Sequence, residues 1–386
     1  MSGSALVLPV LAGLVLAGAG ILYLGAAALM TLRLAGRPLP VPTAHDPVTV
    51  LKPLHGAEPG LEDNLRSFLR QDYGAPIQVV FGVQNPADPA IAIVRSLQDD
   101  HPDQDIELVV DGRLHGTNRK VSNLENMAAR ARHPVIVLAD SDMRVGPDYL
   151  AGVVSVLAAP GVGAVTCLYH GIAGEGRPAR LMALGIDSHF LPGVAMGVGL
   201  GIGHPCMGST IALRRETLDA IGGFRSIADA LADDHAIGER VRALGLAVAV
   251  TPFTIGHVCG VETLGELAHQ ELRWSKTVRQ IEPVGHAGAV VSHPLPFGLI
   301  ALALAPNAIT AGVAAAAIAA RIGLCLAAER AFGLKPHPYW LVPARDLLSF
   351  VVYAASFFGR GVQWRGYRYE VARSGALLPK TRPDAS

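Results

Sequence analysis

The sequence lacks the features of several common protein classes. Its 32 Lys and Arg residues balance 32 Asp and Glu residues, so no basic excess attracts nucleic acid. Its four cysteines lie far apart and form no C-x-x-C pair, which argues against a disulfide framework and a structural zinc site and fits a reducing compartment. No G-x-G-x-x-G follows the first predicted strand and no G-x-x-x-x-G-K-[ST] occurs, which argues against dinucleotide-binding and P-loop domains.

Charged residues are also scarce. They make up 17% of the chain against 51% apolar residues, and the mean hydropathy of +0.37 excludes a disordered chain and predicts membrane segments. No charged side chain occurs from Met1 to Leu32, and Arg33 and Arg37 follow directly. We predict a transmembrane helix over residues 1–33. A cleaved signal peptide is the alternative, but no Lys or Arg precedes the long apolar run.

Two apolar stretches near the C-terminal end predict further membrane segments. Residues 287–320 carry no charge, and the pair Pro306–Asn307 would split them into a re-entrant pair. Residues 339–359 are interrupted only by the adjacent Arg345 and Asp346. Both stretches are long enough to enter a bilayer.

The arginines predict the orientation of these segments. They follow the first apolar run and recur after the last one, so the positive-inside rule places both regions in the cytosol. The simplest topology has three helices and an external N-terminus. After the helix over residues 1–33, it assigns a cytosolic domain to residues 45–285, a membrane region to 287–359 and a cytosolic tail to 360–386.

The middle of the chain alternates between two patterns. Short β-branched runs recur about every 30 residues, and amphipathic helical patterns lie between some of them. The runs cover residues 48–51, 79–83, 106–110, 135–139 and 162–168. The alternation predicts a mostly parallel α/β sheet, which binds ligands at the carboxyl ends of its strands.

An acidic motif, Asp140-Ser141-Asp142, directly follows the fourth of these runs. Side chains alternate along an extended chain, so both carboxylates would face one side and Ser141 the other. Two hard oxygen ligands suit Mg²⁺ or Mn²⁺ shared with a diphosphate. A turn that merely ends the strand is the alternative.

A second acidic pair, Asp233-Asp234, stands at the start of a predicted helix. A helix cap is the simplest role for one of them. Repulsion between paired carboxylates raises the proton affinity of one, which favours a general base that accepts a proton from a hydroxyl.

A third element has helical spacing. Gln270, Arg273 and Trp274 lie at i, i+3 and i+4 and would project together. A planar cation suits a departing phosphate, and an indole suits stacking on an acceptor. The alternative is an interfacial Trp beside a snorkelling Arg at the bilayer surface.

The segment Gly185–Gly203 combines glycines with apolar side chains, and Asp187 is its only charged residue. Such a segment would offer a pliable apolar surface to a lipid acceptor. A flexible interfacial loop is the alternative. The stretch Cys206–Ser209 also has two interpretations: it lines the acceptor site, or it packs in the core.

In this order, the three polar elements resemble the D, D-x-D, D, (Q/R)-x-x-R-W signature of the family 2-like glycosyltransferases, and more closely the ceramide glucosyltransferase branch. The resemblance covers about residues 1–370. Branch-level similarity lies in Leu51–Leu54 with Gly56, Val83–Gln84 leading to Asp88–Ala90, and Asn118–Lys120 with Asn123–Leu124. Similarity to the bacterial hopanoid-associated member lies in Arg113–Gly116, Asn118–Leu124, Val145–Leu150 and His269–Trp274. That family is understood to move N-acetylglucosamine from UDP-GlcNAc onto bacteriohopanetetrol.

The resemblance implies a glycosyltransferase A-type nucleotide-binding fold and inverting transfer from a UDP-sugar to a membrane lipid alcohol. It implies the bacterial inner membrane, with a catalytic domain that faces the cytosol. A ceramide glucosyltransferase that uses UDP-glucose is the nearer alternative, and a non-catalytic membrane scaffold is a distant one.

The resemblance also implies roles for single residues. Asp140 and Asp142 would hold Mg²⁺ or Mn²⁺ and the diphosphate, Asp234 would be the base, and three residues would close the site: Gln270, Arg273 and Trp274. Donor binding would further involve Lys52, Pro53, Asn85, Asp88 and Lys120. Relatives commonly have Asp directly after Val-Gln, where this chain has Asn85, so the first-aspartate role is open between Asn85 and Asp88. For Lys52 and Lys120, a simple solvated role is the alternative to offsetting diphosphate charge.

Overall fold

The computed structural model describes residues 4–40, 45–359, 361–364, 367–371 and 377–380. The chain forms two compact units, each built from several segments. The helical unit comprises Met1–Arg37, Glu175–Gly203 and Val261–Arg360, and the sheet unit comprises Pro38–Gly174, His204–Gly260 and Gly361–Ser386. Two stretches of the predicted cytosolic domain, 175–203 and 261–285, therefore belong to the helical unit.

The main sheet has eight strands. They are β1 (Val48–Pro53), β2 (Ile77–Val83), β3 (Asp105–Val110), β4 (Val135–Leu138), β5 (Met143–Arg144), β6 (Val162–Ala173), β7 (Ile211–Arg214) and β8 (Ala247–Cys259). Their spatial order is β3-β2-β1-β4-β7-β6-β8-β5. A second, three-stranded antiparallel sheet contains β9 (Gly361–Trp364), β10 (Tyr367–Val371) and β11 (Leu377–Lys380).

The α-helices follow the chain in order. They are α1 (Ser4–Ala35), α2 (Leu61–Leu69), α3 (Ala90–Asp100), α4 (Arg119–Ala128), α5 (Tyr149–Leu157), α6 (Gly176–Gly185), α7 (Leu191–Leu200), α8 (Arg215–Ala220), α9 (Asp233–Ala243), α10 (Leu264–Ile281), α11 (Pro283–Gly288), α12 (Pro294–Leu304), α13 (Ala308–Phe332) and α14 (Val342–Ser356). A π-helical turn, Ile186–Phe190, joins α6 to α7.

All five β-branched runs that the sequence predicted as strands are strands, and among the described residues four of the seven pairings in the main sheet are parallel, as predicted. The strands from β3 to β4 are parallel, and so are β6 and β8. However, β7 pairs antiparallel with both β4 and β6, and β5 is antiparallel to β8. The sheet is therefore mixed. The missed strands are short, like β5 and β7, or interrupted by Pro252, like β8.

The central strands are buried on both faces because their side chains alternate between two cores. Val48 and Val50 of β1 pack in one core with α2, α3 and α5. Leu51, the next residue along β1, packs in the other core with α4 and α9. Phe68 and Leu65 of α2 are fully buried. This double cover fixes the strand ends at which the polar motifs emerge.

In the described part of the helical unit, three helices are long and apolar enough to cross a membrane. They span Leu6–Ala35, Gly176–Leu200 and Ala308–Phe332. A fourth span is possible if the bent pair Pro283–Ser292 and Pro294–Leu304, which meets at 54°, counts as one. The first of these agrees with the predicted N-terminal helix.

The C-terminal membrane prediction needs two corrections. The chain breaks at Pro306 as expected, and the side chain of Asn307 accepts hydrogen bonds from the backbone at the start of α13. The helix then continues beyond residue 320, through Arg321, to Phe332. In the predicted third span, α14 has only 15 residues, fewer than a straight crossing needs. Of the predicted tail, residues 360, 365–366, 372–376 and 381–386 lie outside the described residues.

Most of the segment Gly185–Gly203 is helical, as part of Gly176–Leu200, so the alternative of a flexible loop is wrong for it. Glycines allow helices to approach closely: a Cβ atom at Gly199 would lie 2.5 Å from Met30 Sδ of α1. Strands β6 and β7, which flank this segment, are paired in one sheet. Residues 201–210 contain no helix that could return the chain across lipid. We therefore expect both ends of the segment on one face of the membrane.

Cysteine labelling tests this topology, since the native cysteines are all buried. The exposed positions Glu175→Cys and His204→Cys should react with a membrane-impermeant maleimide from the same face of sealed vesicles. Lys335→Cys, beyond α13, should react from the opposite face. Labelling of positions 175 and 204 from opposite faces would show that Gly176–Leu200 makes a single crossing.

Candidate active site

The D-x-D motif lies at a turn, so the expectation of an extended chain there is wrong. Strand β4 ends at Leu138, and the backbone N–H of Met143 donates to the carbonyl of Asp140 across the turn at 3.3 Å. Ser141 Oγ donates to Glu58 Oε2 at 3.1 Å. The two motif carboxylates still lie near each other. Partial burial and then the charge of Asp140 raise the pKa of Asp142 to about 7.

Lys120 joins the D-x-D turn to the start of α9. Its Nζ atom lies 2.7 Å from Asp140 Oδ1 and 3.1 Å from Asp233 Oδ2. The residue stands in the first turn of α4, which is capped by the side chain of Asn118. Burial alone would lower the pKa of Lys120, but the charges of Asp140 and Asp233 outweigh burial and raise it. The bridging group is therefore a permanent cation.

Lys52 contacts the D-x-D turn from the protein interior. Its side chain is fully buried, its Nζ donates to the carbonyl oxygen of Asp140 at 2.8 Å, and it lies 3.6 Å from the centre of the Phe68 ring. Burial lowers the pKa of Lys52 to about 7, against the opposing charges of Asp142 and Asp140. The ammonium group of Lys52 therefore binds the backbone of the D-x-D turn.

The candidate base, Asp234, is held by backbone groups. Its Oδ2 accepts from the N–H of Gly208 at 3.0 Å, and its Oδ1 accepts from the N–H of His235 at 2.7 Å. Burial and then the neighbouring charge of Asp233 raise the pKa of Asp234 to about 6. The two adjacent carboxylates thus have different partners, because Asp233 pairs with Lys120. A raised proton affinity is what general-base catalysis near neutral pH uses.

The two candidates for the first-aspartate role have different surroundings. Asp88 is buried and accepts from the N–H groups of Gly56 and Ala90 at 2.9–3.0 Å, so it ties the loop after β1 to the start of α3. Asn85 is exposed, and its Oδ1 accepts from the N–H of Ala87 in an Asx turn. Pro53 ends β1 opposite Gly82. Asn85 is therefore the more accessible of the two for a ligand.

Gln270, Arg273 and Trp274 lie on α10, as their spacing predicted, and all three are half-buried. This helix belongs to the helical unit and is N-capped by Thr263, whose side chain accepts from the N–H of Glu266. Glu271, between them, is buried.

Sequence reasoning missed the place of His257 beside this site, and it left Gly208, within Cys206–Ser209, open between an acceptor-lining role and core packing. His257 Nδ1 lies 3.8 Å from Asp142 Oδ2, since β8 brings it opposite Met143. A Cβ atom at Gly208 would lie 2.9 Å from Asp140 Oδ2 and 3.1 Å from Lys120 Nζ. Neither residue follows a predicted strand, so only the tertiary fold places them here.

The donor set fits a divalent cation. No group of three or more His, Cys, Asp and Glu residues suited to a metal occurs in the described part of the chain. However, Oδ1 of Asp142 is buried, and no hydrogen bond from another described residue reaches it. Mg²⁺ and similar cations use one or two carboxylates and take their remaining ligands from phosphates and water. Asp140 and Asp142 are suited to that arrangement.

Residues 14–377 match the profile described as Glycosyl transferase family 21. The chain belongs to this family. Its relatives include ceramide glucosyltransferase 1 of Caenorhabditis elegans, 27% identical over 209 residues, which cover 53% of this chain and 44% of that protein. A ceramide glucosyltransferase of Komagataella phaffii is 30% identical over 112 residues, which cover 28% of this chain and 22% of that protein. The matches thus span less than half the length of these relatives.

Among the solved structures that this chain resembles is one that covers most of it. It is a mannosyltransferase from Pyrobaculum calidifontis in complex with GDP-Man and Mn²⁺. The likeness covers 89% of this chain and 99% of that one, with 22% identity and a TM-score of 0.52. At this identity the likeness concerns the fold, and it confirms the predicted glycosyltransferase A-type architecture.

Gly208→Ala tests the packing of the site. The added methyl group should displace Asp140 or Lys120 and lower turnover about 10- to 100-fold, because small misplacements of catalytic groups have large effects. Gly146→Ala is the matched control, since no atom lies within 4 Å of a Cβ there. Equal activity of both variants in a transfer assay would show that the Asp140–Lys120 contact is not needed.

Asp142→Asn tests the cation site. The variant should lose metal-dependent binding of UDP, measured by calorimetry with and without Mn²⁺, because it removes an anionic ligand. Asp99→Asn, at an exposed position on α3, should bind like the wild type. Undiminished transfer in EDTA would refute a metal requirement.

Proposed function

We propose that this family 21 chain is an inverting glycosyltransferase that moves a sugar from a UDP-sugar to a hydroxyl group of a membrane lipid. The observation that carries the proposal is the Lys120 bridge. It brings the carboxylates suited to a metal and diphosphate, at Asp140 and Asp142, next to the helix end that holds Asp234. A donor site and a base in one place are the two requirements of direct displacement at an anomeric carbon.

Asp234 acts as the general base in this mechanism. Its carboxylate takes the proton of the acceptor hydroxyl while that oxygen attacks the anomeric carbon from the face opposite UDP. The N–H groups of Gly208 and His235 fix the carboxylate in place. Attack and departure are in line, so the anomeric configuration inverts.

Departure of UDP requires positive charge beside the diphosphate. A divalent cation bound by Asp140 and Asp142 would supply part of it. Lys120 orients Asp140 through its 2.7 Å contact, and Lys52 holds the backbone of the same turn. Arg273 and Trp274, with Gln270, are proposed to complete the site, Arg273 on the leaving group and Trp274 on the acceptor.

The acceptor is proposed to be a lipid because the chain carries long apolar helices and its relatives are named ceramide glucosyltransferases. The chain would be a multi-pass protein of the bacterial inner membrane, with the sheet unit in the cytosol. The motif stretches favour N-acetylglucosamine transfer to bacteriohopanetetrol. The relatives favour glucose transfer to ceramide at least as well.

Product analysis separates these acceptors. Detergent-purified protein is incubated with UDP-GlcNAc or UDP-glucose and either bacteriohopanetetrol or ceramide, and the glycolipid is identified by mass spectrometry. An N-acetylglucosaminyl hopanoid supports the first assignment, and a glucosylceramide supports the second. The absence of any glycolipid with every pair, in protein that binds UDP, would favour the non-catalytic scaffold.

Asp234→Asn tests the base. The amide cannot accept the proton, so transfer should fall to background while UDP-sugar binding stays within a few fold, since a base acts in the transition state. Glu239→Gln, an exposed change on the same helix, should leave both unchanged. Near-normal turnover of Asp234→Asn would remove this residue from the mechanism.

A further inference from the structure

Two adjacent charges interrupt the apolar stretch 339–359, and the mechanism above does not use them. Arg345 and Asp346 lie near the start of α14, and both are buried. Neighbours on a helix point about 100° apart. Each therefore meets a different helix of the helical unit.

Arg345 is bound to Glu271 of α10. Its Nη1 and Nη2 donate to the two carboxylate oxygens of Glu271 at 2.6 and 2.7 Å, a bidentate pair. The same guanidinium donates to Ser349 Oγ and to the carbonyl of Leu181 on α6. A Cβ atom at Gly185 would lie 2.6 Å from Arg345 Cζ, so this glycine leaves the space that the guanidinium fills.

Asp346 lies in an ion pair elsewhere in the bundle, one without the hydrogen bonds of the Arg345–Glu271 pair. Its Oδ1 lies 2.8 Å from Arg321 Nε of α13. Arg321 also donates to the carbonyls of Ser188, in the π-helical turn, and Ser292 at 2.7 and 2.5 Å. The contacts of this pair involve α13, α14, the π-helical turn and the turn that holds Ser292, but not α10. The Asp346–Arg321 pair is thus a matched control for the pair that holds α10.

Glu271 lies within the Gln270–Trp274 motif, between residues proposed to close the active site. A buried ion pair often adds little stability over apolar side chains of similar size, whereas its fixed geometry can set the register of helices. We infer that Glu271 and Arg345 are positioning residues, which set the rotation of α10 and thereby the direction in which Arg273 and Trp274 project. This inference rests on the proposed function for its effect on catalysis.

The decisive variant replaces the pair by apolar side chains, Glu271→Leu with Arg345→Met, in a background that carries Trp340→Phe and Trp364→Phe. Trp274 is then the only tryptophan. The melting temperature should change by only a few degrees. The emission maximum of Trp274 and its quenching by iodide should shift, and kcat should fall at least tenfold with a smaller change in the KM for UDP-sugar.

The control, Arg321→Met with Asp346→Leu in the same background, should leave the Trp274 signals unchanged. The inference is overturned if the Glu271/Arg345 double variant keeps both the Trp274 signals and kcat, or if the control shifts Trp274 equally.

Charge reversal covers the case in which the apolar variant unfolds. Glu271→Arg with Arg345→Glu should recover more of the native Trp274 signal and of kcat than either single substitution. No recovery over the single variants would overturn the inference. Loss of transfer in the wild type with every donor and lipid would refute the proposed function instead, and the Trp274 signals would still test the positioning of α10.

Discussion

One ammonium group, on Lys120, joins the two acidic motifs of the sheet unit. It contacts Asp140, which follows β4, and Asp233, which begins α9, although 93 residues of sequence separate the two aspartates. Both carboxylates repel each other and their neighbours, so the elements that carry them need a shared cation to lie together. Gly208 leaves room for this contact, since a side chain there would meet both Asp140 and Lys120.

The parts of this site that the sequence predicted are those that depend on local pattern. Val135–Leu138 is a strand because its β-branched residues pack on both faces, and Asp234 lies in the first turn of a helix whose apolar spacing is visible. The turn at Asp140 was mistaken for extended chain because alternation holds only while the strand continues. The positions of His257 and Gly208 depend on β8 and on the loop before β7, and neither has a regular pattern.

The helical unit shows the same division between local and tertiary information. The uncharged run before Arg33 identifies α1, and Asn307 marks the start of α13 through its cap. For the segment Gly185–Gly203, a flexible loop stood as the alternative to an acceptor surface, and glycine does have a low helix propensity in isolation. In the packed unit, Gly199 fits against Met30, and close packing outweighs that propensity.

The charges of the candidate site also explain why a divalent cation would be favoured there. The D-x-D turn and the start of α9 contribute four aspartates, and Lys120 and Lys52 contribute at most two positive charges against them. Two negative charges therefore remain without a balancing cation at the turn and helix end. Burial is the first cause of the raised pKa values of Asp142 and Asp234, and the charge of a neighbouring carboxylate adds to it in each case. A divalent cation held by Asp140 and Asp142 would offset this negative charge in the low-dielectric surroundings that burial creates.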